Sequence, residues 1–130
     1  MAAFTDYLED RVLRHVFLQD SFTGPGAIYV ALYKDDPGDD ISATEHSGGG
    51  YERARIKFQL ASGTTGSIIN SEDVVFPVAT ENWVTVNYVA LFDSKTGGNP
   101  LVHAKLGSPV DIAKDDSFLI SSGNFTIVLD

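Results

Sequence analysis

Short apolar runs rich in β-branched and aromatic residues recur along the 130 residues, each closed by a cluster of Gly, Pro, Asp or Asn. Runs that begin about 8–12 residues apart suit antiparallel strands joined by turns rather than a helical chain. About seven or eight such strands around one helix predict a mainly β fold, an antiparallel β-sandwich or flattened barrel with one N-terminal α-helix. The length suffices for one sizeable core and is too short for two, so residues 1–130 are expected to form a single domain.

The helix is expected at about 5–18, where Leu8, Val12 and Val16, flanked by Tyr7 and Leu13, oppose Glu9, Asp10, Arg11 and Arg14. Thr5 or Asp6 can cap its first amides, and its acidic opening suits the helix dipole. The β domain then runs over about 27–130. Residues 27–33 are apolar throughout, the pattern of a central strand covered on both faces. Residues 34–50 contain Asp35, Asp36, Asp39, Asp40 and three consecutive glycines among few apolar residues, which predicts a long acidic loop.

Residues 51–58 alternate strictly, with Tyr51, Arg53, Arg55 and Lys57 against Glu52, Ala54, Ile56 and Phe58. A period of two predicts a half-buried strand with one charged face. A turn at 62–66 and short strands at 67–70 and 73–76 follow, the second stopped by Pro77. Residues 84–92 are the longest strand candidate, with a hairpin connection into a strand at 101–106. Further short strands are expected at 110–112, 117–121 and 125–129.

The chain has no cysteine, which removes disulfides, thiolate metal sites and a cysteine nucleophile. Its net charge is −9 and its nine Lys and Arg residues are scattered, whereas a phosphate-tracking groove needs a dense positive stripe. Nucleic-acid binding and docking onto anionic membranes are therefore not expected. Residues 1–4 carry no basic region leading into an apolar one, and no apolar run nears the roughly 20 residues that cross a bilayer.

Catalytic and metal chemistry find little support. His15, His46 and His103 lie far apart, none paired at metal-ligand spacing. The four aspartates of the loop are interrupted by Pro37 and Gly38 and lack the bidentate Glu of a calcium loop, so a solvated turn is the better reading. Gly48, Gly49 and Gly50 precede a strand rather than a helix, which favours a flexible hinge over a phosphate cradle. No serine sits in a nucleophile elbow. No enzyme activity, metal or other cofactor is expected.

The order of features resembles a family of small tailed-phage virion proteins, labelled tail fibre or minor tail proteins and including capsid cement proteins. The matching stretches are Asp6-Tyr7-Leu8-Glu9, Ile28-Tyr29-Val30-Ala31-Leu32-Tyr33, Ser47-Gly48-Gly49-Gly50-Tyr51-Glu52-Arg53, Val74-Val75-Phe76-Pro77-Val78-Ala79, and Trp83 with Tyr88-Val89-Ala90-Leu91-Phe92-Asp93. The resemblance implies a structural virion component without enzymatic activity, assembled in the bacterial host cytoplasm, and leaves head and tail both open.

A capsid decoration or cement protein is the favoured reading: an acidic domain, as a homo-oligomer and most simply a trimer, that binds the major capsid protein on the outside of the assembled head. A subunit that binds only the assembled shell adds its binding free energy to that state. The alternatives are a tail fibre or adaptor subunit bound to tail proteins, and a carbohydrate-binding β-sandwich. The absence of a repetitive shaft tilts the choice toward the head. Arg53 and Arg55, sharing a face with Lys57, are the candidates for pairing with carboxylates across a subunit boundary, against a plain solvated face. Tyr51 and Trp83 flank turns and are the candidate aromatic contacts, and their exposure decides the glycan reading.

Overall fold

The structure, a computed structural model, describes residues 2–63 and 65–129. Met1, Thr64 and Asp130, at the ends of the expected domain and within the expected 62–66 turn, lie outside the described residues. The elements run β1 (Ala3–Phe4), α1 (Asp6–Phe17), β2 (Ile28–Tyr33), β3 (Ala54–Ile56), β4 (Phe58–Leu60), β5 (Ser67–Asn70), β6 (Val74–Val75), β7 (Val86–Phe92), β8 (Pro100–Val110), β9 (Leu119–Ile120) and β10 (Thr126–Val128). A five-stranded sheet in the order β1-β8-β7-β2-β3 is accompanied by a three-stranded sheet, β10-β5-β4, and the pair β6-β9, all antiparallel. This is the expected β-sandwich with one N-terminal helix.

The apolar run of β2 is explained by its position between β7 and β3. Val30 and Leu32 point into the main core with Val89, Leu91, Phe76, Ile120 and Phe125. Ala31 and Tyr33 point the other way, onto Ala90 and Phe92, where Ile41 and Ala43 of the 34–50 segment cover them. That segment is thus partly a lid on the outer face of the sheet. Pro37 is fully buried, the His46 amide donates to the Leu32 carbonyl at 2.9 Å, and Glu45 bridges to Tyr33, while Lys34, Asp35 and Asp36 remain exposed.

Two differences from the sequence expectation have local causes. The strand expected at 51–58 is two strands in different sheets: Ala54 and Ile56 pair with β2, while β4 pairs with β5. At the corner the Lys57 carbonyl accepts from the Ser71 amide at 2.8 Å instead of from a ladder partner. The strands expected separately at 101–106 and 110–112 are largely one, because β8 continues to Val110 through register shifts against β7. Pro109 is accommodated in the register shift between the Val86–Val110 and Tyr88–Lys105 pairs, where β8 leaves its ladder with β7.

Asn70, at the end of β5, fastens three segments of the second layer. Its fully buried amide donates to the carbonyls of Glu72 at 2.9 Å and Ser121 at 3.0 Å and accepts from the Phe125 amide at 2.8 Å. The Ser121 carbonyl also accepts from the Asn124 amide at 3.1 Å, so the Asn70 side chain matters most for the Glu72 carbonyl and the Phe125 amide, and it ties the β5–β6 turn to the entry of β10.

Candidate interaction surface

Arg53 lies just before β3, and the 34–50 segment covers it. The Arg53 guanidinium grips Glu45 with bonds of 2.8 and 3.0 Å, donates to the carbonyls of Ser94 at 2.9 Å and Gly97 at 2.7 Å, and lies 3.8 Å over the Phe92 ring. Its side chain is 8% exposed. The Tyr51 hydroxyl donates to the same Glu45 carboxylate at 2.6 Å and accepts from the Leu32 amide at 3.0 Å. Burial first, then the Glu45 carboxylate, raise the Tyr51 phenol well above its ordinary value and push Tyr33 up to about 12, so both stay protonated at neutral pH.

Trp83 is buried, and its indole N–H donates to the Gly49 carbonyl at 2.8 Å. Gly49 has φ +63°, and a Cβ there would lie 2.8 Å from the indole ring. The Gly48–50 stretch is therefore a packed turn under Trp83 rather than the hinge its composition suggested. His46 covers both aromatic residues, with ring centroids 5.0 Å from Tyr51 and 5.2 Å from Trp83. Tyr51 and Trp83 consequently form no open platform, which removes the feature that would have favoured glycan binding. Arg55 and Lys57 are exposed, on and beside the edge strand β3, and Lys57 stands 3.6 Å from Glu72.

An exposed apolar surface lies elsewhere. Thr5 caps α1, accepting from the Leu8 amide at 3.3 Å and donating to the Pro100 carbonyl at 2.7 Å, which ties the helix start to β8. Tyr7, Leu8 and Val12 are partly buried, but no residue of the helix is buried. Toward its far end Leu13, Val16, Phe17 and Leu18 are exposed by 56–70%. The amides of Leu18 and Asp20 donate to the Arg14 carbonyl, Arg14 pairs with Asp10 at 3.0 Å and Asp20 at 3.5 Å, and Gln19 turns the chain at φ 56°. Four large apolar side chains are thus exposed together at this end of the helix.

Beside the helix start, an apolar groove of about 330 Å³ opens between the two sheets, lined by Phe4, Leu8, Ile28, Phe58, Leu101 and Ile127. Leu60 and Leu129 stand at its mouth, 82% and 59% exposed. Sequence reading found the amphipathic helix, and the structure shows how far its apolar stripe is exposed. The length of the stripe past Val12 was the available signal, because α1 packs mainly against β1 and β8.

The acidic residues also gather more than their spacing indicated. Carboxylate oxygens of Asp6, Glu9 and Asp39 lie within 4.8 Å of one another, all exposed, and Asp39 is bonded to His103 Nε2 at 2.6 Å. Such oxygens are the donor type a hard divalent cation takes. Asp35, Asp36 and Asp40 do not join them, and Asp36 instead accepts from the Gly38 amide at 2.9 Å. The three histidines stay apart, His15 bonding the Asp20 carbonyl at 3.0 Å.

No curated protein matches the chain. A family model described as Podophage GP4 fiber I protein gp80 matches residues 3–128, nearly the whole length. The matched span takes in the Thr5 cap, the exposed helix end, the groove and the Trp83 cluster, and the chain belongs to this family of phage virion fibre proteins.

Proposed function

We propose that the protein is a non-catalytic assembly subunit of the virion fibre, acting by binding neighbouring virion proteins through α1 and the adjoining groove. The observation that carries this reading is the capped helix end with Leu13, Val16, Phe17 and Leu18 exposed together. Burying such side chains is the main driving force of protein association, and membership of a fibre family supplies the setting in which permanent partners exist.

A capsid cement role is the second reading, favoured by a globular acidic sandwich of net charge −9 with a single 12-residue helix, a shape suited to sitting on a shell rather than forming a shaft. The deciding experiment mixes the purified protein with fibreless tails and with undecorated heads of the same phage and measures co-sedimentation. Stoichiometric binding to tails supports the fibre subunit; binding to heads alone transfers the protein to the cement role; binding to neither overturns both.

A further inference from the structure

We infer that the outward face of α1 docks a cationic amphipathic helix of a neighbouring virion protein, one with apolar residues along one stretch and Lys or Arg about two turns away. The inference rests on the assembly reading and deepens it by giving the chemistry of the partner.

Helical spacing sets this face. Asp6, Glu9, Leu13 and Val16 follow one another at intervals of three and four residues, with Asp10 and Phe17 beside them, so all six lie on one side of the helix. The other side carries Tyr7 and Leu8, packed on the core, and Arg11, 5.4 Å over the Tyr7 ring. Along the outward side the first turns are therefore acidic and the last turns apolar, and every one of these six residues is exposed. Seven residues separate Asp6 from Leu13 and Glu9 from Val16, or ~10 Å along the axis.

Charge decides what can cover it. Asp39 joins Asp6 and Glu9 from the neighbouring segment, their carboxylate oxygens within 4.8 Å of one another. At the other end Asp10 and Asp20 enclose Arg14, two anions around one cation. The apolar patch is thus bounded by excess negative charge at both ends, on a chain of net charge −9. A second copy is a poor match: parallel pairing of this face sets Asp6, Glu9 and Asp10 against their own counterparts, and antiparallel pairing centred between Leu13 and Phe17 sets Asp10 against Asp20. A cationic segment gains on both counts. Its apolar residues are buried on Leu13, Val16 and Phe17 while its Lys or Arg meet the carboxylates, which also steer the encounter.

The pattern can be tested with a designed peptide. A fluorescein-labelled peptide of about 18 residues, long enough to hold a helix, carries Leu at helical spacing in one half and Lys on the same face in the other half. A control peptide has Glu in place of each Lys. In fluorescence anisotropy with the full chain, the Lys peptide should bind at least ~10-fold more tightly than the Glu peptide. Phe17→Ser should weaken its binding at least ~10-fold at every salt concentration. Glu9→Lys should weaken it ~5-fold at low salt, a loss that fades near about 0.5 M salt as the charges are screened. Asp116→Lys, in the turn before β9, makes the same change in net charge and should alter binding less than ~2-fold. All three replaced residues are exposed, so unchanged melting temperatures should accompany these results.

Equal binding of the two peptides, or a Phe17→Ser chain that binds like the unaltered one, overturns the inference. Equal losses in Glu9→Lys and Asp116→Lys also overturn it, reducing the effect to net charge. An unaltered chain that sediments as an oligomer and is dissociated by Phe17→Ser gives the face to a second copy and overturns it as well. Binding to tails or heads that survives Phe17→Ser removes this contact and leaves the assembly reading standing, whereas a chain that binds the Lys peptide as expected and binds no particle keeps the face and removes the assembly reading.

Discussion

Arg53 and Glu45 form a two-pronged ion pair, at 2.8 and 3.0 Å, that locks the 34–50 segment to the sheet edge. Eight residues separate them in sequence, and the pair also anchors the 93–99 connection through the Ser94 and Gly97 carbonyls. The bidentate geometry uses the planar fork that distinguishes Arg from Lys.

Removing one member leaves the other charged and poorly solvated. Glu45→Ala should therefore destabilise the fold by ~2–3 kcal/mol, and Arg53→Lys by ~1–2 kcal/mol because two of its four bonds cannot be re-formed. Urea denaturation followed by tryptophan fluorescence measures both. A change below ~0.5 kcal/mol for Glu45→Ala would show that the pair is spectator to stability.

What was legible in the sequence was whatever periodicity controls. Strands β2, β5 and β7 and helix α1 lie within a residue or two of their expected bounds, because each is set by a long apolar run or by a strong cap at Thr5. The corner at Lys57 was hidden, since alternation continues through it and only the Ser71 bond to its carbonyl marks the change of sheet. The inward turn of Arg53 was hidden for a related reason: period-two patterning assigns a face, but the partner that buries the charge, Glu45, comes from a loop with no pattern at all. The apolar stripe of the helix was legible but its exposure was not, because amphipathicity reports that a face wants cover and is silent on which molecule provides it.

The contact between Gly49 and Trp83 makes a sharper test of the packed turn. Gly49→Ala places a methyl group 2.8 Å from the indole at a backbone φ of +63°, combining strain with a clash against a ring whose N–H is already bonded to the Gly49 carbonyl. A loss of ~2–4 kcal/mol is expected, with a red shift of the Trp83 emission as the indole is displaced toward water. Since Trp83 is the sole tryptophan, the emission shift needs no deconvolution. An unshifted spectrum would mean that the turn yields without moving the ring.

His46 should make stability depend on pH in a definite direction. Burial lowers its pKa from the ordinary 6.5, with Gly48, Glu45 and Glu81 opposing, and its Nε2 is buried with no hydrogen-bond partner. The unfolded chain therefore takes up this proton at higher pH than the folded one. The neutral ring's contribution is fully present above about pH 6.5 and is lost as pH falls through that value toward the lower folded pKa. His46→Phe keeps the stacking on Tyr51 and Trp83 and removes both the titration and the unpartnered nitrogen. The variant should match or exceed the unaltered protein at pH 7.5 and lose less stability between pH 7 and pH 5. Parallel losses in the two proteins would relocate the effect to other groups.

Asn70 concentrates the cost of the second layer in one residue, which makes its replacement informative. Asn70→Leu fills a similar volume yet takes away the partner of the Glu72 carbonyl and the Phe125 amide and one of the two bonds to the Ser121 carbonyl. With each such group costing ~1–3 kcal/mol when left unpaired, and the surroundings able to relax toward solvent on the Glu72 side, a net loss of ~3 kcal/mol is expected. Asn70→Asp separates shape from hydrogen bonding. It preserves the acceptor for the Phe125 amide but turns both donors into a carboxylate facing two carbonyls, so it should be at least as damaging as Asn70→Leu above pH 6 and recover partly under acid, when protonation restores one donor. Amide exchange at Phe125 distinguishes the variants: that amide stays protected in Asn70→Asp and becomes exposed in Asn70→Leu. Equal protection in both would mean that the β5–β10 ladder, and not the Asn70 side chain, holds the second layer together.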